Sequence, residues 1–182
     1  MHRASLAEME AYLHTLDSHL SRATQVVIIG GAAVAFRWVT THVTSDVDLW
    51  NDPGKEFWAA VAACADLPGA VPISKAGVAS PPINFEDRLV DVPIEGLTHL
   101  RIVVPEAHDL ALMKTVRGEA HDLDAIEDIH RSSPLSLATL IERYHETRST
   151  IIGPEFRFKG GFLSLVARLF GDHEAEALED CL

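Results

Sequence analysis

Two aspartates, one residue apart, open a short and otherwise apolar segment of the chain. Asp46 and Asp48 belong to the run Thr44 to Trp50, whose alternation predicts a strand with Val47 and Leu49 on one face. Both carboxylates then project from the opposite face, roughly 7 Å apart at about 3.3 Å of rise per residue. Carboxylates this close repel one another unless a cation neutralises them. The pair therefore favours a hard divalent ion with oxygen ligands, Mg²⁺ or Mn²⁺.

A third carboxylate lies in a later predicted strand. Within residues 88–95, apolar residues alternate with Asp91, which lies on the polar side. If this strand is a neighbour of the strand of the aspartate pair, three carboxylates converge. Two metal ions about 3.5 to 4 Å apart would then clamp the attacking and leaving oxygens of a phosphoryl-type displacement. Pro93 cannot donate to a strand ladder, so it predicts an edge strand or a local distortion beside Asp91.

A double glycine precedes the aspartate pair. Gly30 and Gly31 follow an apolar β-branched run and precede the helical pattern of residues 32–39, which predicts a strand-to-helix turn. Without side chains they let the backbone approach a ligand, and their amides lie where the helix dipole favours negative charge. A triphosphate chelated by magnesium would satisfy the glycines and the aspartates together. Each feature alone has an ordinary explanation, a turn or a solvated strand end, and it is their order along the chain that favours a functional site.

The elements that must position these residues form a mixed α/β pattern followed by helices. Strands are predicted over 25–29, 44–50, 83–86, 88–95 and 101–104, and helices over 4–21, 32–39, 53–65, 106–117, 122–130, 133–148 and 162–170. We therefore predict an α/β (α+β) fold. Residues 1–106 would form a small mixed sheet with flanking helices, including the leading helix, and residues 107–182 would form a helical carboxyl-terminal portion packed on that core.

Composition narrows the class of protein. The 182 residues include 15 basic and 27 acidic side chains, and the resulting charge of −12 opposes non-specific binding to nucleic acid or to an anionic membrane. No apolar stretch has the length of a membrane span, and the acidic start of the chain is unlike a secretory signal. The two cysteines are far apart in the sequence, which predicts reduced thiols. We expect a cytoplasmic protein with no membrane partner.

The order of these motifs resembles a known superfamily. Gly30-Gly31, then Asp46-Val47-Asp48, then Asp91 within LVDV is similar to the polymerase-beta-like nucleotidyltransferases in their minimal bacterial branch. The segment PEAHDLALMKTVRGEAHDLDAIEDI resembles small stand-alone members, including relatives of the nucleotidyltransferase toxins of abortive-infection type. In those relatives a helix lysine, followed by an arginine and an aspartate, lies near the nucleotide. The resemblance runs from about Val26 to the end of the chain.

What the resemblance implies is the transfer of a nucleoside monophosphate from a nucleoside triphosphate, such as ATP, to a hydroxyl acceptor. Asp46 and Asp48 would hold the metal, and Asp91 would complete the site and act as general base. Gly30 and Gly31 would bind the triphosphate.

Two residues of the later segment join this implied site. Lys114 would neutralise phosphate charge, and Arg117 would contact the nucleotide from the same side of the helix, since residues three apart are neighbours. A solvated helix face explains Lys114 and Arg117 equally well, and capping of the next helix explains Asp122 as well as any chemistry. Many family members carry a serine at the position of Gly31, so a hydroxyl contact to the phosphates is missing here.

Two classes of function stay open. The first is the enzyme, whose acceptor would be an RNA such as a tRNA end, a protein side chain or a small molecule. The resemblance alone places this enzyme in a toxin–antitoxin or phage-defence setting with a cognate toxin or antitoxin partner. The second is a catalytically inactive nucleotide-binding or antitoxin-like protein that uses the same fold for protein contacts.

Overall fold

The chain forms one unit of mixed α/β structure and one unit of helices. A computed structural model describes residues 3–39, 41–77, 79–117 and 120–182, and the side chains of Arg117 and Ala120 lie outside this description. The α/β unit contains Met1–Gly77 and Leu89–Pro105, and the helical unit contains Val78–Arg88 and Glu106–Leu182. The units divide between Pro105 and Glu106, and residues 78–88 belong to the helical unit.

The α/β unit is built on a five-stranded mixed sheet. Its elements in chain order are α1 (Leu6–Asp17), β1 (Thr24–Ile29), α2 (Gly30–Arg37), β2 (Val47–Leu49), α3 (Lys55–Cys64), β3 (Ile73–Lys75), β4 (Val90–Val92) and β5 (Leu100–Val104). The strand order is β3-β2-β1-β5-β4. The β1–β5 and β2–β3 pairs are parallel, and the β1–β2 and β4–β5 pairs are antiparallel. This mixed sheet with flanking helices confirms the predicted fold class.

Local sequence patterns account for the elements that surround the end of β1. The last four residues of β1 are buried, as expected for a β-branched run in the central strand of a sheet. Helix α1 begins with a capping box, in which the Glu8 amide donates to the Ser5 hydroxyl and the Ser5 amide donates to the Glu8 carboxylate. Helix α1 packs on α2 and α3, and α2 packs on β1 and β2. The strand-to-helix turn after β1 is therefore held by packing on several elements.

The predicted strand over 83–86 is wrong. Residues Phe85–Arg88 form a short 3-10 helix instead. Asn84 has a φ of 58°, in the left-handed region that an extended strand does not contain. The Phe85 amide then donates to the Pro82 carbonyl at 3.2 Å. The turn chemistry of this segment outweighs its apolar residues.

A part-buried ion pair connects this segment to the rest of the helical unit. Arg88 Nε and one terminal nitrogen donate to the two carboxylate oxygens of Asp109 at 2.8 and 3.0 Å. Asp109 is fully buried, and burial raises the pKa of its carboxyl even though the Arg88 hydrogen bonds oppose that shift. The two-pronged geometry fixes the orientation of Arg88 as well as its distance.

The helical unit is arranged around one long helix. Its α-helices are α4 (Ala107–Arg117), α5 (Ala120–Ser132), α6 (Leu137–Arg148), α7 (Glu155–Phe170) and α8 (Asp172–Glu179), of which α8 was not predicted. Helix α7 packs on α4, α5, α6 and α8. It begins at Glu155, well before the predicted residue 162. Gly161 lies inside the helix, where a Cβ would come within 2.7 Å of the Thr115 carbonyl oxygen on α4. In the described part of the chain, no helix has both the length and the apolar character that crossing a bilayer requires.

Candidate functional site

The glycine turn joins the central strand to a helix, as the sequence predicts. Strand β1 ends at Ile29, and α2 begins at Gly30. Gly30 has a φ of +69°, a conformation that residues with a side chain rarely adopt. Ile29 occupies the N-cap position and makes no side-chain capping hydrogen bond. The N-cap side chain therefore accepts no hydrogen bond from the first-turn amides of α2. Such amides at a helix N-terminus favour an anionic acceptor.

The aspartate pair lies beside this turn. Asp48 is opposite Ile29 in the β1–β2 ladder, and the apolar residues on either side of Asp48 are each 1% exposed. The half-buried Asp48 thus points to the other face, as the alternation predicts. Its Oδ2 atom lies 3.5 Å from the position that a Cβ would take at Gly30. Asp46 immediately precedes β2, and its Oδ1 accepts a hydrogen bond from the Thr44 hydroxyl at 3.4 Å.

Three further polar side chains surround the turn and the pair, and the sequence did not single them out. A Cβ at residue 31 would lie 3.0 Å from Thr44 Oγ1 and 3.3 Å from His42 Nε2. Ser74 Oγ, on β3, donates to Asp48 Oδ1 at 3.3 Å. Only Thr44 has a sequence feature that could have identified it, since it lies two residues before Asp46. His42 and Ser74 reach the site through tertiary structure and carry no local signal.

Asp91 lies on a strand that is not a neighbour of β2. It belongs to β4, and β1 and β5 separate β4 from β2. Three strand spacings of about 4.8 Å put roughly 14 Å between the two strands. The condition under which three carboxylates would converge is therefore not met. The edge strand predicted from Pro93 is confirmed, since β4, which ends at Val92, is an outer strand of the sheet.

Asp91 is paired with an arginine instead. Arg101 donates to its two oxygens at 2.7 and 2.9 Å, and both side chains are exposed. The hydrogen bonds and the charge of Arg101 lower the pKa of the Asp91 carboxyl. A carboxylate with a lowered pKa is a poorer general base at neutral pH, because it holds a proton less readily.

The donor set suits a magnesium ion that is shared with a polyphosphate. Among the described residues, no group of three histidine, cysteine or acidic side chains is arranged to hold a metal. Mg²⁺, however, usually keeps several waters and binds one or two carboxylates together with substrate phosphates. Two carboxylates, Asp46 and Asp48, lie beside a helix start, where an anion is favoured, and this arrangement matches that combination. The residues therefore fit Mg²⁺, or Mn²⁺ with the same oxygen ligands.

Lys114 forms a buried ion pair within the helical unit. Its Nζ donates to Asp122 Oδ1 at 2.9 Å, with the two side chains 5% and 1% exposed. The alternative of a solvated helix face is therefore wrong for Lys114. Asp122 lies in the first turn of α5, where the helix dipole favours a carboxylate. The side chain of Arg117 lies outside the described residues, so its nucleotide contact stays a prediction.

Comparison with known proteins adds a family to this geometry. The model of the family described as "Nucleotidyltransferase of unknown function (DUF6036)" matches residues 4–160. That range includes the glycine turn, the aspartate pair, Asp91 and Lys114. No curated protein and no solved structure matches the chain.

Proposed function

The chain belongs to this nucleotidyltransferase family, and on that basis we propose that it transfers a nucleoside monophosphate from a triphosphate such as ATP to a hydroxyl, with pyrophosphate leaving. The reaction would depend on Mg²⁺ or Mn²⁺. The observation that carries the proposal is a short distance: Asp48 Oδ2 lies 3.5 Å from the position that a Cβ would take at Gly30, in the left-handed turn. A carboxylate that would hold the metal and a helix start that would receive phosphate oxygens are thus close together.

Each residue of the turn and the pair has a part in this proposal. Asp46 and Asp48 would hold the divalent ion, which when bound neutralises phosphate charge and polarises the attacked phosphoryl group. The amides of Gly30 and Gly31 would receive phosphate oxygens at the start of α2. Since these donors are already in place before the reaction, they stabilise the charge that develops on the leaving pyrophosphate without further rearrangement.

Lys114 and Asp91 have weaker support. The buried ion pair with Asp122 accounts for the position of Lys114, so its phosphate contact rests on the sequence resemblance. For Asp91, the pairing with Arg101 and the strand order argue against metal ligation. Its role as a general base is a separate proposal.

The acceptor and the biological setting rest on the sequence resemblance alone. They include a tRNA end, a protein side chain or a small molecule as acceptor, and a cytoplasmic toxin–antitoxin or defence system with a cognate partner.

Label transfer tests the proposed reaction. The protein is incubated with each of the four triphosphates, labelled at the α-phosphate, together with Mg²⁺ and cell extract. We expect transfer that disappears in Asp46→Ala and in Asp48→Ala, whereas Asp66→Ala, which removes an exposed acid of the same unit, retains it. Normal transfer by both variants of the pair would rule out this metal site.

The separation of Asp91 from the pair favours one alternative, a catalytically inactive nucleotide-binding or antitoxin-like protein. Such a protein would be stabilised against thermal unfolding by a triphosphate with Mg²⁺, because ligands that bind the folded state raise its stability, yet it would transfer no label. A protein that uses the fold for protein contacts alone would be stabilised by none of the four triphosphates.

A further inference from the structure

Two side chains from the connection between α2 and β2 lie against the glycine turn. Thr44 Oγ1 and His42 Nε2 are 3.0 and 3.3 Å from the position of a Cβ at residue 31. Gly31, unlike Gly30, does not have a positive φ. A side chain at residue 31 would therefore crowd its neighbours, whereas the backbone conformation would accept one. The hydroxyl and the imidazole occupy the space that a side chain at residue 31 would fill.

The backbone holds Thr44 in this position. The Ala4 amide donates to the Thr44 carbonyl at 2.7 Å, and the Thr44 amide donates to the Ala4 carbonyl at 3.2 Å. Ala4 is 2% exposed and directly precedes Ser5, the N-cap of α1. The leading helix thus anchors the segment that carries Thr44. A side chain on an anchored segment loses little conformational freedom when it binds a ligand.

The Thr44 hydroxyl lies between the two halves of the proposed site. It is 3.0 Å from the Cβ position of Gly31 and donates to Asp46 Oδ1 at 3.4 Å, a distance typical of a weak hydrogen bond. A hydroxyl rotates freely, so the same group can donate to a phosphate oxygen bound at the turn. A phosphate oxygen within about 3.0 Å would accept a stronger hydrogen bond than Asp46 Oδ1 does at 3.4 Å.

We propose that Thr44 and His42 bind the phosphate tail over the glycine turn, and that Thr44 supplies the hydroxyl that residue 31 lacks. The inference rests on the proposed function, because it assigns two more residues to the same triphosphate. The Thr44 hydroxyl donates to one phosphate oxygen, and His42 Nε2, when it carries the proton, donates to another. Both contacts are made to the tail and not to the nucleoside, so they favour triphosphates over monophosphates.

Binding of ATP with Mg²⁺, measured by calorimetry, tests these contacts, with binding of Mn²⁺ alone measured by electron paramagnetic resonance as a second readout. We expect Thr44→Val and His42→Ala each to weaken ATP binding roughly tenfold, the effect of one lost hydrogen bond to a charged group, and to leave Mn²⁺ binding unchanged. Thr44→Ser, which keeps the hydroxyl, should bind ATP like the wild type. Circular dichroism and thermal unfolding verify that each variant is folded.

A second set of variants tests whether the hydroxyl can be moved. Gly31→Ser alone should weaken ATP binding, because its Cβ would crowd the Thr44 hydroxyl at 3.0 Å. Combined with Thr44→Ala, the same substitution loses its closest contact, although the Cβ of residue 44 and His42 Nε2 stay at 3.3 Å, and it restores a hydroxyl at the turn. We therefore expect the double variant to bind ATP more tightly than either single variant. A double variant no tighter than Thr44→Ala would overturn the assignment of the hydroxyl.

The outcomes separate this inference from the proposed function. If the wild type does not bind ATP, or if Asp46→Ala and Asp48→Ala bind it with wild-type affinity, the proposed function fails. If the aspartate variants lose binding while Thr44→Val and His42→Ala keep it, only the present inference is overturned. Equal losses of ATP and Mn²⁺ affinity in Thr44→Val would also overturn it, since Thr44 would then act only by orienting Asp46.

Discussion

Asp17 links the leading helix to the strand beside β1. It is the last residue of α1, where a carboxylate meets the unfavourable end of the helix dipole. It is nevertheless 6% exposed and accepts three backbone hydrogen bonds. Thr98 donates to Oδ2 at 2.9 Å, and His99 and Leu100 donate to Oδ1 at 2.7 and 2.6 Å. These amides lead into β5, so we expect the stability of the α/β unit to depend on this one carboxylate.

The hydrogen bonds set the size of the expected effect. A hydrogen bond to a charged group contributes about 1.5 to 3 kcal/mol, and water can replace part of what is lost at the part-buried amides. We therefore expect Asp17→Ala to lower the free energy of unfolding by roughly 3 to 5 kcal/mol. Asp17→Asn can keep the oxygen that serves His99 and Leu100 and loses the acceptor for Thr98. Its expected cost is about 1.5 to 3 kcal/mol.

The pH dependence follows from the pKa of Asp17. Burial alone raises this pKa, but the three backbone hydrogen bonds and the nearby His99 together outweigh burial, and the pKa lies below its usual value. A lowered pKa in the folded state gives stability that is complete above the unfolded value, about 3.9, and is lost as the pH falls through the folded value. The stability difference between the wild type and Asp17→Asn should thus be constant between about pH 5 and 8 and shrink below about pH 4.

Urea unfolding followed by tryptophan fluorescence measures these effects. All three tryptophans, Trp38, Trp50 and Trp58, belong to the α/β unit, so the signal reports on that unit. Asp66→Asn serves as a control for the loss of an exposed charge. An Asp17→Ala protein within about 0.5 kcal/mol of the wild type, the range of ordinary surface substitutions, would refute the argument. So would a difference between the wild type and Asp17→Asn that stays undiminished in acid.

Further predictions concern the helical unit and the edge strand. Gly161→Ala should destabilise by roughly 1 to 3 kcal/mol, since its Cβ would meet a carbonyl of α4. At Gly160 a Cβ would meet open space, so Gly160→Ala should stabilise the protein by up to about 1 kcal/mol. Similar thermal unfolding of the Gly160→Ala and Gly161→Ala variants would contradict this description of the packing. Lys114→Met and Asp122→Leu should each lower the free energy of unfolding in urea by roughly 3 to 5 kcal/mol, because each leaves a buried charge without its partner. The double variant should recover much of this loss, whereas additive losses would show that the pair is not coupled. Asp91→Asn should leave Mn²⁺ affinity unchanged. A fall in Mn²⁺ affinity of tenfold or more would show that Asp91 is a metal ligand.

Local patterns in the sequence determined the elements that carry the glycine turn and the aspartate pair. The change from an apolar β-branched run to a helical pattern placed Gly30 and Gly31, and strict alternation placed Asp48 opposite the buried face of β2. Both are short-range properties, so a few residues contain them completely. The predicted strand 44–50 was longer than the observed β2, because pairing partners and not periodicity decide where a strand ends.

Which strands are neighbours was decided only by the tertiary structure. Period-two alternation specifies a buried face but not a partner, so the sequence could not tell that β1 and β5 separate Asp91 from the aspartate pair. The same holds for Thr44 and His42 at the turn and for Asp17 at the start of β5. Their positions depend on contacts between segments far apart in the chain. The sequence by itself thus determined the family and the elements that carry the turn and the aspartate pair, while the folded chain decided which other side chains surround them.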